Sequence, residues 1–167
     1  MGVKHKTIKN EFPEMKVRMD ELNGNAIEVG VLRGEHAWLA SIHEYGCDIT
    51  VTPKMRKFLH GKGLHLKAST TRIKIPERSF LRNGYDQNRT EVMKKATLVM
   101  ADVVGGKMSA NGACSSVGQT MRDKIKKYAN DLRSPANHPF TLEQKGPKNP
   151  LNDTGDMIGG ITWRKAK

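Results

Sequence analysis

Cysteine is almost missing from this chain. Only Cys47 and Cys114 occur, far apart and outside any Cys-x-x-Cys spacing, so neither a disulfide framework nor a zinc site is encoded. The expectation is two reduced thiols that pack as small apolar side chains. Aromatic residues make up 5% of the chain. In the stretch 53–82 they are Phe58 and Phe80 alone, too few to stack successive bases, which argues against sequence-specific single-strand recognition. Long apolar runs are lacking too: none approaches the roughly 20 residues of a membrane-spanning helix. The opening Met1-Gly2-Val3-Lys4-His5-Lys6 is not followed by the apolar stretch of a secretion signal. A soluble protein that stays where it is made, with no membrane partner, is therefore expected.

What the sequence has is one modest core and much polar chain. Its 167 residues, 37% hydrophobic and 28% charged, suit a single domain with long polar loops. The charge is uneven. Residues 26–52 hold Arg33 against Glu28, Glu35, Glu44 and Asp48. Residues 53–82 hold Lys54, Arg56, Lys57, Lys62, Lys67, Arg72, Lys74, Arg78 and Arg82 against Glu77, which is +8 of the net +12. Such a segment attracts polyanions.

Apolar spacing gives the elements. Ile8, Phe12, Met15 and Met19 predict a helix within Thr7–Leu22, broken, kinked or begun at Pro13. Residues 1–25 are read as a helical extension and 26–167 as one α+β domain. Ala26–Leu32 reads as a strand, and Trp38, Leu39, Ile42 and Tyr45 mark a short helix that Gly46 can end. Asp48–Thr52 and Ser69–Ile75 are β-rich, closed by Pro53 and Pro76, and can pair as a hairpin whose arms bracket an exposed basic loop, 54–68. Asp86–Val104 carries a helical stripe of Val92, Ala96, Val99 and Val103. After a small-residue linker, 109–113, Ser116 and Gln119 form a capping box for a second long helix that Pro135 closes. Residues 134–150 read as an extended arm, and Ile161–Arg164 as a terminal strand. The sum is α+β: a small, mostly antiparallel sheet packed with two long helices.

No catalytic constellation emerges. Asp153-Thr154-Gly155 matches the aspartic-protease triplet, but only twelve residues follow Gly155 and no second copy exists to share a proton. A backbone turn is the better reading. His5, His36, His43, His60, His65 and His138 lack the i, i+4 pair plus carboxylate or thiolate of helical metal sites. Gly61-Lys62-Gly63 lacks the rest of a phosphate loop. No cofactor, metal or enzymatic activity is expected.

Three pieces stand in order. Val29-Gly30-Val31 leads to Ile42-His43-Glu44-Tyr45-Gly46. Next comes Ile75-Pro76-Glu77-Arg78-Ser79-Phe80-Leu81-Arg82, and last Asn149-Pro150-Leu151-Asn152-Asp153-Thr154-Gly155-Asp156-Met157. This trio resembles the tail-completion and neck proteins of long-tailed bacteriophages, a group that includes head-tail joining, minor tail and virion-morphogenesis proteins. The resemblance spans about residues 27–165. It implies a structural subunit of a virion ring, commonly of six copies, assembled in the host cytoplasm. The ring completes the tail and sits between connector proteins and the tail tube or tail terminator, with double-stranded DNA in its lumen. The motifs read as scaffold: Glu44, Tyr45 and Gly46, then Pro76, Arg78, Phe80 and Leu81, then Leu151, Asp153, Thr154 and Gly155. Phe80, Leu81 and Leu151 would be core anchors, Arg78 and Arg82 would stay polar, and Gly155 would permit a tight turn. Lys54, Arg56, Lys57, Lys62, Lys67, Arg72 and Lys74 are the candidate contacts to lumen DNA or to a neighbouring ring. The rival reading is a free basic nucleic-acid-binding protein.

Overall fold

A computed structural model describes residues 10–146 and 149–166. In chain order the elements are α1 (Phe12–Leu22), β1 (Ile27–Val31), α2 (Glu35–Tyr45), β2 (Cys47–Thr50), α3 (Pro53–Gly61), β3 (Arg72–Ile75), α4 (Phe80–Val104), α5 (Ala110–Asp131), α6 (Pro139–Lys145), α7 (Asp156–Gly159) and β4 (Ile161–Lys165). The chain is α+β, dominated by the two long helices α4 and α5. The strands form two separate antiparallel pairs, β1 with β4 and β2 with β3.

The long helices lie against each other because each carries a stripe of apolar or small residues. On α4 these are Phe80, Gly84, Val92, Val99 and Val103; on α5 they are Ala110, Ala113, Cys114, Gly118, Met121, Ile125 and Ala129. Small residues let the backbones approach: a Cβ on Gly84 would lie 3.4 Å from the Cα of Ile125. One apolar cluster joins Ala40, Phe80, Val92, Met121, Ile125, Leu132, Leu151, Met157, Ile158 and Ile161. A second, at the other end of the pair, joins Val99, Val103, Ala110 and Ala113, with Leu22 of α1 against it. Strand β1 zips to β4 from Ile27 opposite Lys165 to Val31 opposite Ile161. That pairing brings the C-terminal strand back to the start of the domain and lays it on α5.

Several boundaries differ from the sequence expectation. Helix α5 begins at Ala110, not at the Ser116 capping box: Ser109 Oγ accepts from Gly112 N at 3.1 Å, and Ala110 and Ala113 are buried packing residues rather than a linker. Helix α4 begins at Phe80, six residues before Asp86. The basic stretch after β2 is not a loop throughout, because Thr52 Oγ1 caps Met55 N at 3.1 Å and Pro53 starts α3. The expected extended arm contains α6, where the His138 ring accepts from Phe140 N. A helical turn, α7, separates Gly155 from the last strand. Pro13 lies in the first turn of α1, where proline is tolerated. Thr7 and Ile8, which the predicted N-terminal helix includes, lie outside the described residues.

One contact tests the packing of the β1–β4 pair on α5. The Trp163 ring lies so close to Gly118 that a Cβ there would be 2.5 Å from Cδ2 and Cε3. Alanine normally gains up to about 1 kcal/mol over glycine inside a helix. Here displacement of a rigid indole should outweigh that gain, and Gly118→Ala should lose about 1–3 kcal/mol in urea unfolding. An unchanged or raised midpoint would show that Trp163 does not pack as described.

Candidate functional site: a buried joint and a basic lobe

The first two motif pieces meet at a single joint between the end of α2 and the start of α4. Glu44, the penultimate residue of α2, is 2% exposed. Its carboxylate accepts from Leu81 N at 2.8 Å and from Arg82 N at 3.0 Å, two of the otherwise unpaired donors of the first turn of α4. Ser79 occupies the N-cap position of α4 without capping; its hydroxyl donates to Glu77 Oε1 instead. The acceptor that starts α4 thus comes from a residue 37 positions earlier in the chain. A negative charge at that end also suits the helix dipole.

Two arginines complete the joint. Arg82 donates through Nε to Glu44 Oε1 at 3.0 Å and through Nη2 to Glu44 O at 3.0 Å and Glu77 Oε1 at 2.6 Å. The hydrogen bond it donates to the Glu44 carboxylate is the main reason its guanidinium is still harder to deprotonate than usual. The same group lies 4.9 Å from the Tyr45 ring centroid, a cation–π contact on an otherwise exposed tyrosine. The Ser79 hydroxyl, and then Arg82, hold the Glu77 carboxyl below its ordinary value of 4.5. Arg78, expected to stay polar, is buried at 4% exposure. It donates to Pro135 O at 2.8 Å, Ala136 O at 3.1 Å and Asn137 Oδ1 at 3.2 Å, while its backbone N–H bonds His43 O at 2.7 Å. Burial lowers its pKa, and the carbonyl partners satisfy the charge that burial would otherwise penalise.

Gly46 is fixed by space as well as by conformation. Its φ is +71, and a Cβ would lie 2.8 Å from Ile75 O and 2.9 Å from Glu77 N. A side chain there would push β3 away from α2. Pro76 is half-buried beside it, and Phe80 is fully enclosed. The third motif piece closes the end of α5. Asn149 Nδ2 donates to Ala129 O and Asn130 O, both at 2.7 Å, and Leu151 is buried in the core. Thr154 Oγ1 donates to Asp156 Oδ2 at 2.6 Å, and Gly155, at φ +95, turns the chain into α7. Asp153 lies exposed in this turn, so the triplet has a turn's geometry.

Beyond the joint, β2, α3 and β3 form a lobe whose elements make little contact with α4 and α5 among the described residues. Asp48 faces Lys74 and Thr50 faces Arg72 across the hairpin, and these four side chains are exposed. Lys54, Lys57, Lys62 and Lys67 are exposed as well. Arg56 differs from the other candidate contacts. Its guanidinium turns inward to Leu66 O at 3.1 Å, Lys67 O at 2.9 Å and Thr70 O at 2.7 Å, stitching α3 to the following chain. Among the described residues no group of three or more His, Cys, Asp or Glu side chains could hold an ion, and His5 lies outside those residues. His60 and His65 meet edge to face at 4.4 Å.

Sequence reasoning found the motif residues but not that Glu44 and Arg82 touch, that Arg78 is buried, or that Arg56 is internal. The Thr52-Pro53 pair was the available signal for α3, since it has the form of a helix start. Comparison with family models, with curated proteins and with solved structures finds no match to the chain. No described helix is long and apolar enough to cross a membrane.

The joint makes a sharp energetic prediction. Glu44→Ala leaves two helix N–H groups unpaired and Arg82 without its main partner, and should cost about 3 kcal/mol in denaturant unfolding. Tyr45→Ala, which removes only an exposed contact, should cost under about 1 kcal/mol. Equal costs would mean the carboxylate does not organise the joint. The pH dependence follows from Glu77. Its folded pKa is depressed, so its stabilisation is complete above its ordinary 4.5 and is lost as pH falls through the lower folded value. Glu77→Gln should flatten the stability profile in that acid window, lying below the wild type near neutrality and meeting it once Glu77 is protonated.

Proposed function

We propose that this protein is a structural, non-enzymatic subunit of a ring in the neck of a long-tailed bacteriophage, where it completes the tail and joins it to the head connector. DNA passes through the lumen of that ring. The observation that supports this reading best is the convergence of the resembling motifs. Glu44, Gly46, Pro76, Arg78 and Phe80 lie in one joint at the base of the β2–α3–β3 lobe, where α2, the end of β3 and the start of α4 meet. Residues with that placement serve rigidity, as an assembly subunit requires, rather than chemistry.

The body also offers surface for neighbours. Along α4, Tyr85, Met93, Leu98 and Met100 are exposed, and a cleft of about 660 Å³ beside Tyr85 and Met93 is walled by Ile27, Val29, Val92 and Met121. On α2, Trp38 is 71% exposed. Exposed apolar residues on both α2 and α4 suit the head-to-tail contacts of a closed ring, in which each copy uses two different surfaces. A free basic nucleic-acid-binding protein is the second reading, favoured by the charge of the lobe. Ring formation in the absence of nucleic acid separates the two.

Deletion of the gene should leave filled heads and unattached tails, visible by negative-stain electron microscopy. Particles that join normally without it would refute the neck assignment. The isolated protein should be a monomer or loose oligomer that forms rings with its neighbours or at high concentration. A stable, salt-resistant two-fold dimer in scattering would contradict a ring.

A further inference from the structure

The lobe and the body divide two kinds of contact between them. Large exposed apolar side chains, which anchor protein interfaces, are on the body at Trp38, Tyr85, Met93 and Leu98, whereas Phe58 is the one large apolar residue exposed on the lobe. The exposed charge of the lobe is mostly lysine, a residue depleted at protein–protein interfaces and abundant at nucleic-acid interfaces. Some body cations, Lys124, Lys127 and Arg164 among them, sit within 4.0 Å of acidic partners, while others, such as Arg89 and Lys94, do not. Among the described residues, none of Lys54, Lys57, Lys62, Lys67, Arg72 and Lys74 is in such a pair. Asp48 is the only acid in residues 47–75. Arg56, held by three carbonyl groups, keeps α3 and the chain after it in place. The lysines are thereby presented on an ordered framework rather than on a free loop.

We propose that these six side chains form a sequence-independent contact for the phosphate backbone of double-stranded DNA, and that the lobe faces the DNA path rather than an adjacent protein ring. The inference rests on the neck reading for its place in the particle, but the contact itself is a property of the isolated chain. Each side chain meets a phosphate as a point charge, and no aromatic or amide array on the lobe reads base edges. Phosphate contact releases condensed counterions, so affinity falls with salt by about 0.9 in log–log slope for each phosphate neutralised.

The test is anisotropy titration of the full chain against a short fluorescent duplex of arbitrary sequence over a range of sodium chloride concentrations. Four to six contacts give a slope between about −3.5 and −5.5, unaltered when the sequence is scrambled. Replacing Lys54, Lys57, Lys62 and Lys67 with Gln should make the slope shallower by up to about 3.6, and Arg72→Gln with Lys74→Gln by up to about 1.8. Both variants should keep the wild-type circular dichroism and melting curve, because all six side chains are exposed. A wild-type slope retained by both variants would overturn the assignment, as would poly-glutamate competing as well as duplex at equal charge concentration, the mark of an acidic protein partner. If heads and tails joined without the protein while the slope depended on these residues, the neck reading would fall and the DNA contact would stand. If joining required the protein but the slope ignored the lysines, only the DNA contact would fall.

Discussion

The carboxylate of Glu44 is the point on which the arrangement turns. Helix α4 is the longest element of the chain, and its first turn lacks a local cap because Ser79 is engaged with Glu77. An acceptor delivered by α2 fixes where α4 begins and ties two separate stretches of chain to one position. Arg82 then balances the buried charge from the solvent side, with half of its side chain exposed. That geometry avoids the full desolvation cost of a wholly buried ion pair. Arg78 extends the same joint to the segment after α5 through Pro135 and Ala136. Three parts of the chain are thus held by polar contacts within a few residues of Phe80, the fully enclosed side chain at the head of α4.

Such a joint has a mechanical meaning. The β2–α3–β3 lobe enters from Gly46 and leaves through Pro76, so its orientation is set where the polar network is densest. Gly46 permits close approach to β3, and Pro76 stops the strand before the helix starts. In the proposed ring, the charges of the lobe and the exposed apolar residues of α4 would meet different neighbours.

Much of this was legible in the sequence where local chemistry and tertiary context agree. The hairpin of Cys47–Thr50 with Arg72–Ile75 follows from β-branched runs closed by prolines, and the second half of α4 from its valine stripe. Legibility failed where a distant residue supplies what the local sequence lacks. No pattern near Phe80 announces a helix start, because its cap lies on α2. The small residues before Ser116 looked like a linker, yet the alanines there serve close packing, as at Ala110 and Ala113. In α3 the cations Arg56 and Lys57 between Met55 and Leu59 obscured a short amphipathic helix. Among the candidate contact residues, composition could not tell Arg56 from its neighbours, since only the fold turns its guanidinium onto three carbonyl oxygens.

Amide hydrogen exchange at the start of α4, followed residue by residue by NMR, tests the central claim most directly, because it reads the Glu44 hydrogen bonds themselves. In the wild-type protein the amides of Leu81 and Arg82 should be protected although they belong to a first helical turn, where unpaired amides ordinarily exchange fast. In Glu44→Gln both should lose protection together, along with the Arg78 amide bonded to His43 O, while amides in the middle of α5 stay protected. Wild-type Leu81 and Arg82 amides that exchange as freely as an uncapped terminus would contradict the account.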